Sequence, residues 1–163
     1  MNVVSWANVT ESETSDTLFL SCQSQQILEK DVWLLYSGCS NHMTGHNDLL
    51  SNLDTSLITT ISLGDDHLNK ASGKGVVPVL TKHGEVKNIP NVYYVPNIKH
   101  NLLSIRQLMA HGYDVTFHNN TCTILNPIKR LVAKVPMTKN RLFPLEMRSG
   151  KMYACNISHE CKS

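Results

Sequence analysis

Short apolar runs separated by turn-forming residues fill the sequence from Val32 onward. Runs of this length, bounded by Gly, Asn, Asp and Pro, are typical of the strands of an all-β domain. The predicted turns lie at Gly64-Asp65-Asp66, His83-Gly84 and Asn119-Asn120, because these residue types tolerate positive φ. The predicted strands are Val32–Tyr36, Thr59–Leu63, Gly75–Leu80, Val86–Ile89, Val92–Val95, Asp114–His118, Thr121–Leu125 and Leu131–Val135.

One segment departs from this pattern. In "NLLSIRQLMAHG", residues 101–112, apolar side chains recur at helical spacing at Leu102, Ile105, Leu108 and Met109. Asn101 can cap the start of a helix and Gly112 can follow its end. The spacing therefore predicts one helix over about Asn101–Ala110. A shorter helical turn is predicted over Asn47–Leu53.

The chain of 163 residues is long enough for one domain with a core. Residues 1–30 are rich in Ser, Thr, Gln and Glu and are predicted to form a flexible linker or arm, and residues 148–163 a tail. No apolar run is long enough to span a membrane, and no secretory signal is visible at the N-terminus. Five scattered cysteines suit reduced thiols, so we expect a cytoplasmic protein without a membrane partner.

A strand that ends in Ser-Gly is one of several motifs that point to the same family. The motifs are "WLLYSGCSNHMTG", "SLGDDHLNKASGKG", "IPNVYYVPNIKHNLLSIRQL", "GYDVTFHNNTC" and "RLVAKVPMTKNRLFPL". In order and spacing, they resemble the protease region of copia-type retrotransposon Gag-Pol polyproteins from plants, from about Asp31 to about Leu145.

The resemblance implies a retroviral-type aspartic protease over residues 31–147. Such a protease is a small closed β-barrel that forms a homodimer, contributes one Asp per subunit, and cleaves peptide segments of its own polyprotein. It uses water and neither a cofactor nor a metal. The tail from residue 148 would lead toward a pre-integrase segment.

The resemblance also implies roles for individual residues. The family turn reads Asp-Ser-Gly, and Tyr36 stands at the position of the catalytic Asp, followed by Ser37, which braces the paired turns, and Gly38, which allows the chain to reverse. The remaining implied residues are the flap glycines Gly64, Gly73 and Gly75, and Leu102, Leu103 and Ser104, which support the turn.

Tyr36 decides the expected activity. An aspartic protease needs two carboxylates that share one proton. A phenol ionises only far above neutral pH, and its ring extends beyond the reach of a carboxylate. In a homodimer the two-fold axis repeats the defect. The sequence therefore predicts a protease-like domain, ancestrally an endopeptidase that processed Gag-Pol, that is inactive as written.

No other acidic residue is expected to replace the missing Asp. Asp31 lies at the far end of the strand that leads to Tyr36, and the others fall in later loops or near the flap: Asp48, Asp54, Asp65 and Asp66. A second departure from the family is Arg106, where a small residue is usual, and we expect it to point to solvent. Trp33 is expected to be buried.

Other classes of function remain open at this stage. The barrel could instead bind an extended peptide or a partner without cleaving it. Residues 128–151 carry seven basic residues against one acidic residue, Glu146, and could weakly contact nucleic acid.

Two other kinds of chemistry are weaker alternatives. Cys39, His42 and His46 have spacing that could hold zinc, as could Cys155, His159 and Cys161. Cys39 could also act as a nucleophile beside a histidine.

Overall fold

The computed structural model describes residues 29–64 and 66–151. Within these residues the protein is built from strands, with one short α-helix, α1 (Ile105–Ala110), and 3₁₀ turns at Glu29–Asp31 and Asn47–Leu49. The all-β expectation is therefore confirmed. The strands are β1 (Val32–Tyr36), β2 (His42–Thr44), β3 (Ser51–Asp54), β4 (Thr59–Leu63), β5 (His67–Ala71), β6 (Gly73–Leu80), β7 (Val86–Tyr94), β8 (Asn101–Ser104), β9 (Asp114–His118), β10 (Thr121–Leu125), β11 (Leu131–Pro136) and β12 (Pro144–Glu146).

Three sheets organise these strands. The largest has the order β12-β1-β8-β2-β7-β6-β3, the second has the order β11-β10-β9, and β4 and β5 form a separate hairpin. Strands β1 and β8 run parallel, as do β2 and β7. The expected closed barrel is not found among the described strands. The two edge strands of the large sheet, β12 and β3, do not pair with each other, since β12 pairs with β1 and β3 pairs with β6.

The core lies between the seven-stranded and three-stranded sheets. Trp33 and Leu103 from the large sheet are buried in one cluster with Ile124 and Val132 from the smaller sheet. Trp33 is 1% exposed, which confirms its predicted burial. A second cluster, which includes Met43 and Ile61, joins the large sheet to the β4–β5 hairpin. Both small sheets are thus packed through apolar side chains rather than through strand pairing.

The predicted strands Val86–Ile89 and Val92–Val95 are one continuous strand, β7. The pairing with β6 shifts between Gly75 and Val77, and Asn91 has a φ of 58°. Pro90 has no N–H to give to the sheet, so the strand passes it as a bulge and continues. The proline therefore bends the strand without ending it.

The helix begins later than the sequence spacing predicts. Asn101–Ser104 is strand β8, which pairs with β1, and the Ser104 side chain accepts the N–H of Gln107 as the cap of α1. Asn101 is therefore not the cap. Gly112, with a φ of 87°, follows the helix end as predicted.

The predicted turns are found where the structure describes their residues. Gly84 has a φ of 81°, and Asn119 and Asn120 both have positive φ in the two-residue turn between β9 and β10. Such a turn matches the twist of a hairpin. The helical turn predicted over Asn47–Leu53 is half right, since a 3₁₀ turn is followed by strand β3.

Most of the predicted arm (1–30) and most of the predicted tail (148–163) lie outside the described residues. Arg148 and Gly150 are held along β6 by backbone hydrogen bonds to Leu80 and Pro78. Within residues 29–64 and 66–151, no helix has the length and apolar character needed to cross a bilayer.

Candidate functional site

The turn that begins at Tyr36 is the candidate site. Strand β1 ends at Tyr36, and Ser37 and Gly38 follow it at the surface. Strand β8 runs parallel beside β1, so that Tyr36 is opposite Ser104. The end of one strand thus presents the turn, and the end of its neighbour lies beside it.

The Tyr36 ring folds back over this turn. A Cβ at Gly38 would lie 2.7 Å from Cζ and 2.8 Å from the hydroxyl oxygen of Tyr36. A Cβ at Gly64, at the tip of the β4–β5 hairpin, would lie 3.6 Å from the same hydroxyl. Tyr36 therefore occupies the space between the turn and the hairpin tip, although its side chain remains 38% exposed.

Ser104 holds the turn from below. Its hydroxyl donates to the carbonyl of Cys39 at 2.8 Å and accepts the N–H of Gln107 at 3.1 Å. Its own N–H donates to Nδ1 of His42 at 2.9 Å. Gln107 in turn accepts the N–H of His42 at 2.8 Å through Oε1. The segment between β1 and β2 is thus bonded to the junction of β8 and α1.

Asn101 extends this network to the start of β1. Its side chain donates to the carbonyls of Lys30 and Val32 and accepts the Thr44 hydroxyl at 2.6 Å. Sequence reasoning singled out Asn101 only as a helix cap, and it did not single out Thr44 or Gln107. A signal was present, since Asn101, Ser104 and Gln107 recur at every third position of "NLLSIRQL", where the remaining residues other than Arg106 are apolar.

Leu102 and Leu103 take part in different clusters. Leu103 is fully buried in the main core, and Leu102 packs against the cluster beneath the β4–β5 hairpin. Arg106 is exposed on α1, as expected. The catalytic support that the resemblance assigns to these leucines and Ser104 stays a prediction.

The three glycines assigned to the flap lie in two different places. Gly64 is at the tip of the β4–β5 hairpin, whereas Gly73 and Gly75 lie in β6 of the large sheet. A Cβ at Gly73 would be 2.9 Å from Leu53, and one at Gly75 would be 2.9 Å from the carbonyl oxygen of Ser51. These two glycines allow β3 to pack closely on β6. A flap role for any of the three stays a prediction.

The described acidic residues that were considered as replacements for the missing Asp lie outside the Tyr36 turn. Asp31 precedes β1 and is buried, which raises the pKa of its carboxyl. The Lys30 ammonium lies 2.9 Å from the Asp48 carboxylate, and this hydrogen bond lowers the pKa of Asp48. Asp54 accepts hydrogen bonds from Ser56. Asp66 lies with positive φ in the hairpin turn, and Asp65 lies outside the described residues.

The alternative chemistries of Cys39 gain no support from the geometry. Burial raises the pKa of the Cys39 thiol to about 11, so the reactive thiolate is scarce near neutral pH. Nδ1 of His42 is already bonded to the backbone of Ser104. In the described part of the chain, no three His, Cys, Asp or Glu residues are grouped to hold a metal. Cys155, His159 and Cys161 lie outside it.

The basic stretch 128–151 is partly engaged in ion pairs. Lys129 pairs with Asp114, and Arg148 pairs with Glu146. The Lys129–Asp114 pair is exposed and therefore contributes little to stability. The weak nucleic-acid contact predicted from this stretch stays a prediction.

Comparison with known families finds a similarity over part of this region. Residues 33–113, just under half of the chain, match the family model of the Pol polyprotein, β-barrel domain. The match supports a region of a retrotransposon or retroviral Pol polyprotein, and it includes the Tyr36 turn, the hairpin and α1. No curated protein and no solved structure matches the chain.

Proposed function

We propose that this region is the protease-like domain of a copia-type retrotransposon polyprotein and that it has lost peptide hydrolysis. The main observation in support is the position of the Tyr36 ring over Gly38 and near Gly64. In the proposed ancestor an Asp at this position would hold the attacking water. Here a phenol fills that space.

The chemical consequence follows from what hydrolysis needs. A water molecule must lose a proton to a base while a second carboxyl group polarises the scissile carbonyl. The proposed homodimer would bring two Tyr36 residues to the shared site, and neither can act as that base near neutral pH. The scaffold around the turn is retained, since Ser104, Gln107 and His42 bond it from below. We propose a domain that keeps its shape and lacks its reactive group.

The test is cleavage of a peptide that spans a Gag-Pol junction at mildly acidic pH. The wild type should be inactive, and Tyr36→Asp should gain activity that a transition-state inhibitor of aspartic proteases blocks. Tyr36→Asn is the matched control, because it has the size of Asp without the ionisable group, and it should be inactive. Cleavage by the wild type would contradict the proposal.

A non-enzymatic peptide-binding module is the alternative. The observation that favours it is the β4–β5 hairpin, since each of its strands pairs only with the other among the described residues. An extended peptide could add a strand to such an edge through backbone hydrogen bonds, which need no Asp. This alternative would be favoured if the wild type binds the junction peptide without cleaving it and folded Tyr36→Asp does not cleave it either. We place either function in the cytoplasm.

A further inference from the structure

A second concave site lies away from the Tyr36 turn. A cavity of about 520 Å³ opens between β7, α1 and the loop that joins β10 to β11. No residue of the Tyr36–Gly38 turn or of the β4–β5 hairpin lines it. Its polar lining includes His42, Gln107 and His111, and Leu103, Leu108 and Pro127 are among its apolar residues. A volume of this size suits a small ligand or a few peptide side-chain groups.

His42 presents a hydrogen-bond donor at this cavity. Its Nδ1 accepts the N–H of Ser104, so in the neutral ring the proton resides on Nε2. Burial, with a smaller effect of the nearby His111, lowers the pKa of His42 to about 4 and keeps the ring neutral near pH 7. The residue is 3% exposed, and Nε2 has no partner among the described residues. A buried N–H without a partner is costly, so a ligand that accepts this bond would be stabilised.

His111 presents the complementary group. Its Nδ1 lies 2.8 Å from the carbonyl oxygen of Gln107. A carbonyl can only accept, so Nδ1 carries the proton and Nε2 of the neutral ring keeps its lone pair. The neutral form of His111 therefore offers an acceptor at the same cavity as the donor of His42, and both tautomers are set by backbone bonds.

The charge at the cavity is compatible with a neutral ligand and unfavourable for a cation. Among the described residues, Lys87 lines the cavity and no Asp or Glu does. A protonated amine would therefore meet a positive charge without a compensating carboxylate. The apolar lining, from β8, α1 and the β10–β11 loop, suits a hydrocarbon body next to the polar group.

We propose that this cavity binds a carboxamide attached to an apolar body. The amide carbonyl accepts the Nε2–H of His42, and the amide N–H donates to Nε2 of His111. The same chemistry is available from a free aromatic amide and from the side chain of a peptide glutamine. The site is independent of hydrolysis at Tyr36.

The test is a titration of the protein, with the imidazole resonances of its histidines followed by NMR. Benzamide and a short acetylated Leu-Gln amide peptide are the two probes, which represent the two sources of the amide. Benzoate, which has no N–H to donate, and benzylamine, which has no acceptor, are the matched control ligands. We expect benzamide or the peptide to shift the resonances of His42 and His111, with His118 unchanged. The tighter of the two probes identifies the source.

His111→Ala removes the acceptor at an exposed position and should leave the fold intact. It should weaken amide binding about tenfold, as expected for the loss of one hydrogen bond. His118→Ala is the matched control and should leave the affinity unchanged. Equal affinity for benzamide and benzoate, no effect of His111→Ala, or no response to either amide at millimolar concentration would overturn the proposal.

Discussion

The ring of Tyr36 rests on Gly38 so closely that residue 38 has no room for a side chain. Gly38 does not have the positive φ found at Gly84 and Gly112, so its backbone alone would accept alanine. The requirement for glycine is therefore imposed by Tyr36. The contact can therefore be measured as a coupling free energy between substitutions at residues 36 and 38.

Gly38→Ala should destabilise the wild type by about 1 kcal/mol, since the ring must move from its rotamer to admit the methyl group. In the Tyr36→Ala background the same change should be neutral or slightly stabilising, within about 0.5 kcal/mol, because alanine reduces the freedom of the unfolded chain. Urea unfolding of the four proteins gives the coupling. Equal effects of Gly38→Ala in both backgrounds would show that the ring does not occupy this place.

Ser104→Ala should lower the free energy of unfolding by about 2 kcal/mol. The change removes the cap of α1 and leaves the carbonyl of Cys39 without its buried donor. Ser40→Ala is the matched control, because that hydroxyl is exposed and, among the described residues, bonds only to the neighbouring Asn41. It should change stability by less than about 0.5 kcal/mol. A similar small effect at Ser104 would mean that the turn is not held from below.

The buried His42 should make stability fall in acid. Its pKa is about 4 in the folded protein, below the ordinary value of 6.5, so the unfolded chain takes up the proton first. The contribution is complete above about pH 6.5 and is lost as the pH falls toward 4, with a loss of about 2 kcal/mol by about pH 5. Urea unfolding at several pH values measures the loss.

His42→Asn is the variant for this prediction, because the amide oxygen of Asn can still accept the Ser104 N–H. The difference between wild type and His42→Asn should shrink in acid, whereas exposed His118→Asn should leave the profile unchanged. Parallel pH profiles of the wild type and His42→Asn would contradict the assigned burial of the ring.

Cys39 and Cys122 should resist alkylation in the folded protein. Burial raises the pKa of their thiols to about 11 and about 12, and both are 1% exposed or less. Peptide mapping after a brief iodoacetamide treatment near pH 8 should find both unmodified, and treatment in urea should label them. Rapid labelling of Cys39 in the folded protein would revive the thiol-based alternative.

Local patterns in the sequence were sufficient to predict four of the five-residue strands. Val32–Tyr36, Thr59–Leu63, Asp114–His118 and Thr121–Leu125 have the predicted bounds, because each is a clear run that ends at turn residues. The strands β2 and β12 were missed because three residues are too few to show an alternation of apolar and polar side chains. Strand β5 was missed because His67–Ala71 is largely polar and exposed.

The segment "NLLSIRQLMA" shows why the helix start was wrong. Its apolar residues fit helical spacing from residue 102, but β1 offers a parallel partner to Asn101–Ser104. Tertiary pairing therefore decides the conformation of the first four residues, and propensity decides the rest. For the candidate site, the sequence indicated a turn after Tyr36. It held no information about the ring lying on Gly38, which depends on how the hairpin packs.

The pairing of β1 with β12 has a consequence for the connectivity of the domain. Val32 is opposite Glu146, and the N–H of Met147 donates to the carbonyl of Asp31. The chain therefore enters and leaves this sheet at neighbouring points, which is the geometry that favours circular permutation. A permutant that links these points and opens at Gly84, where an added Cβ would meet no atom within 4 Å, should keep the sheet order and the Tyr36 turn. Such a domain can sit inside a longer polyprotein as an insert that barely separates the segments on either side of it.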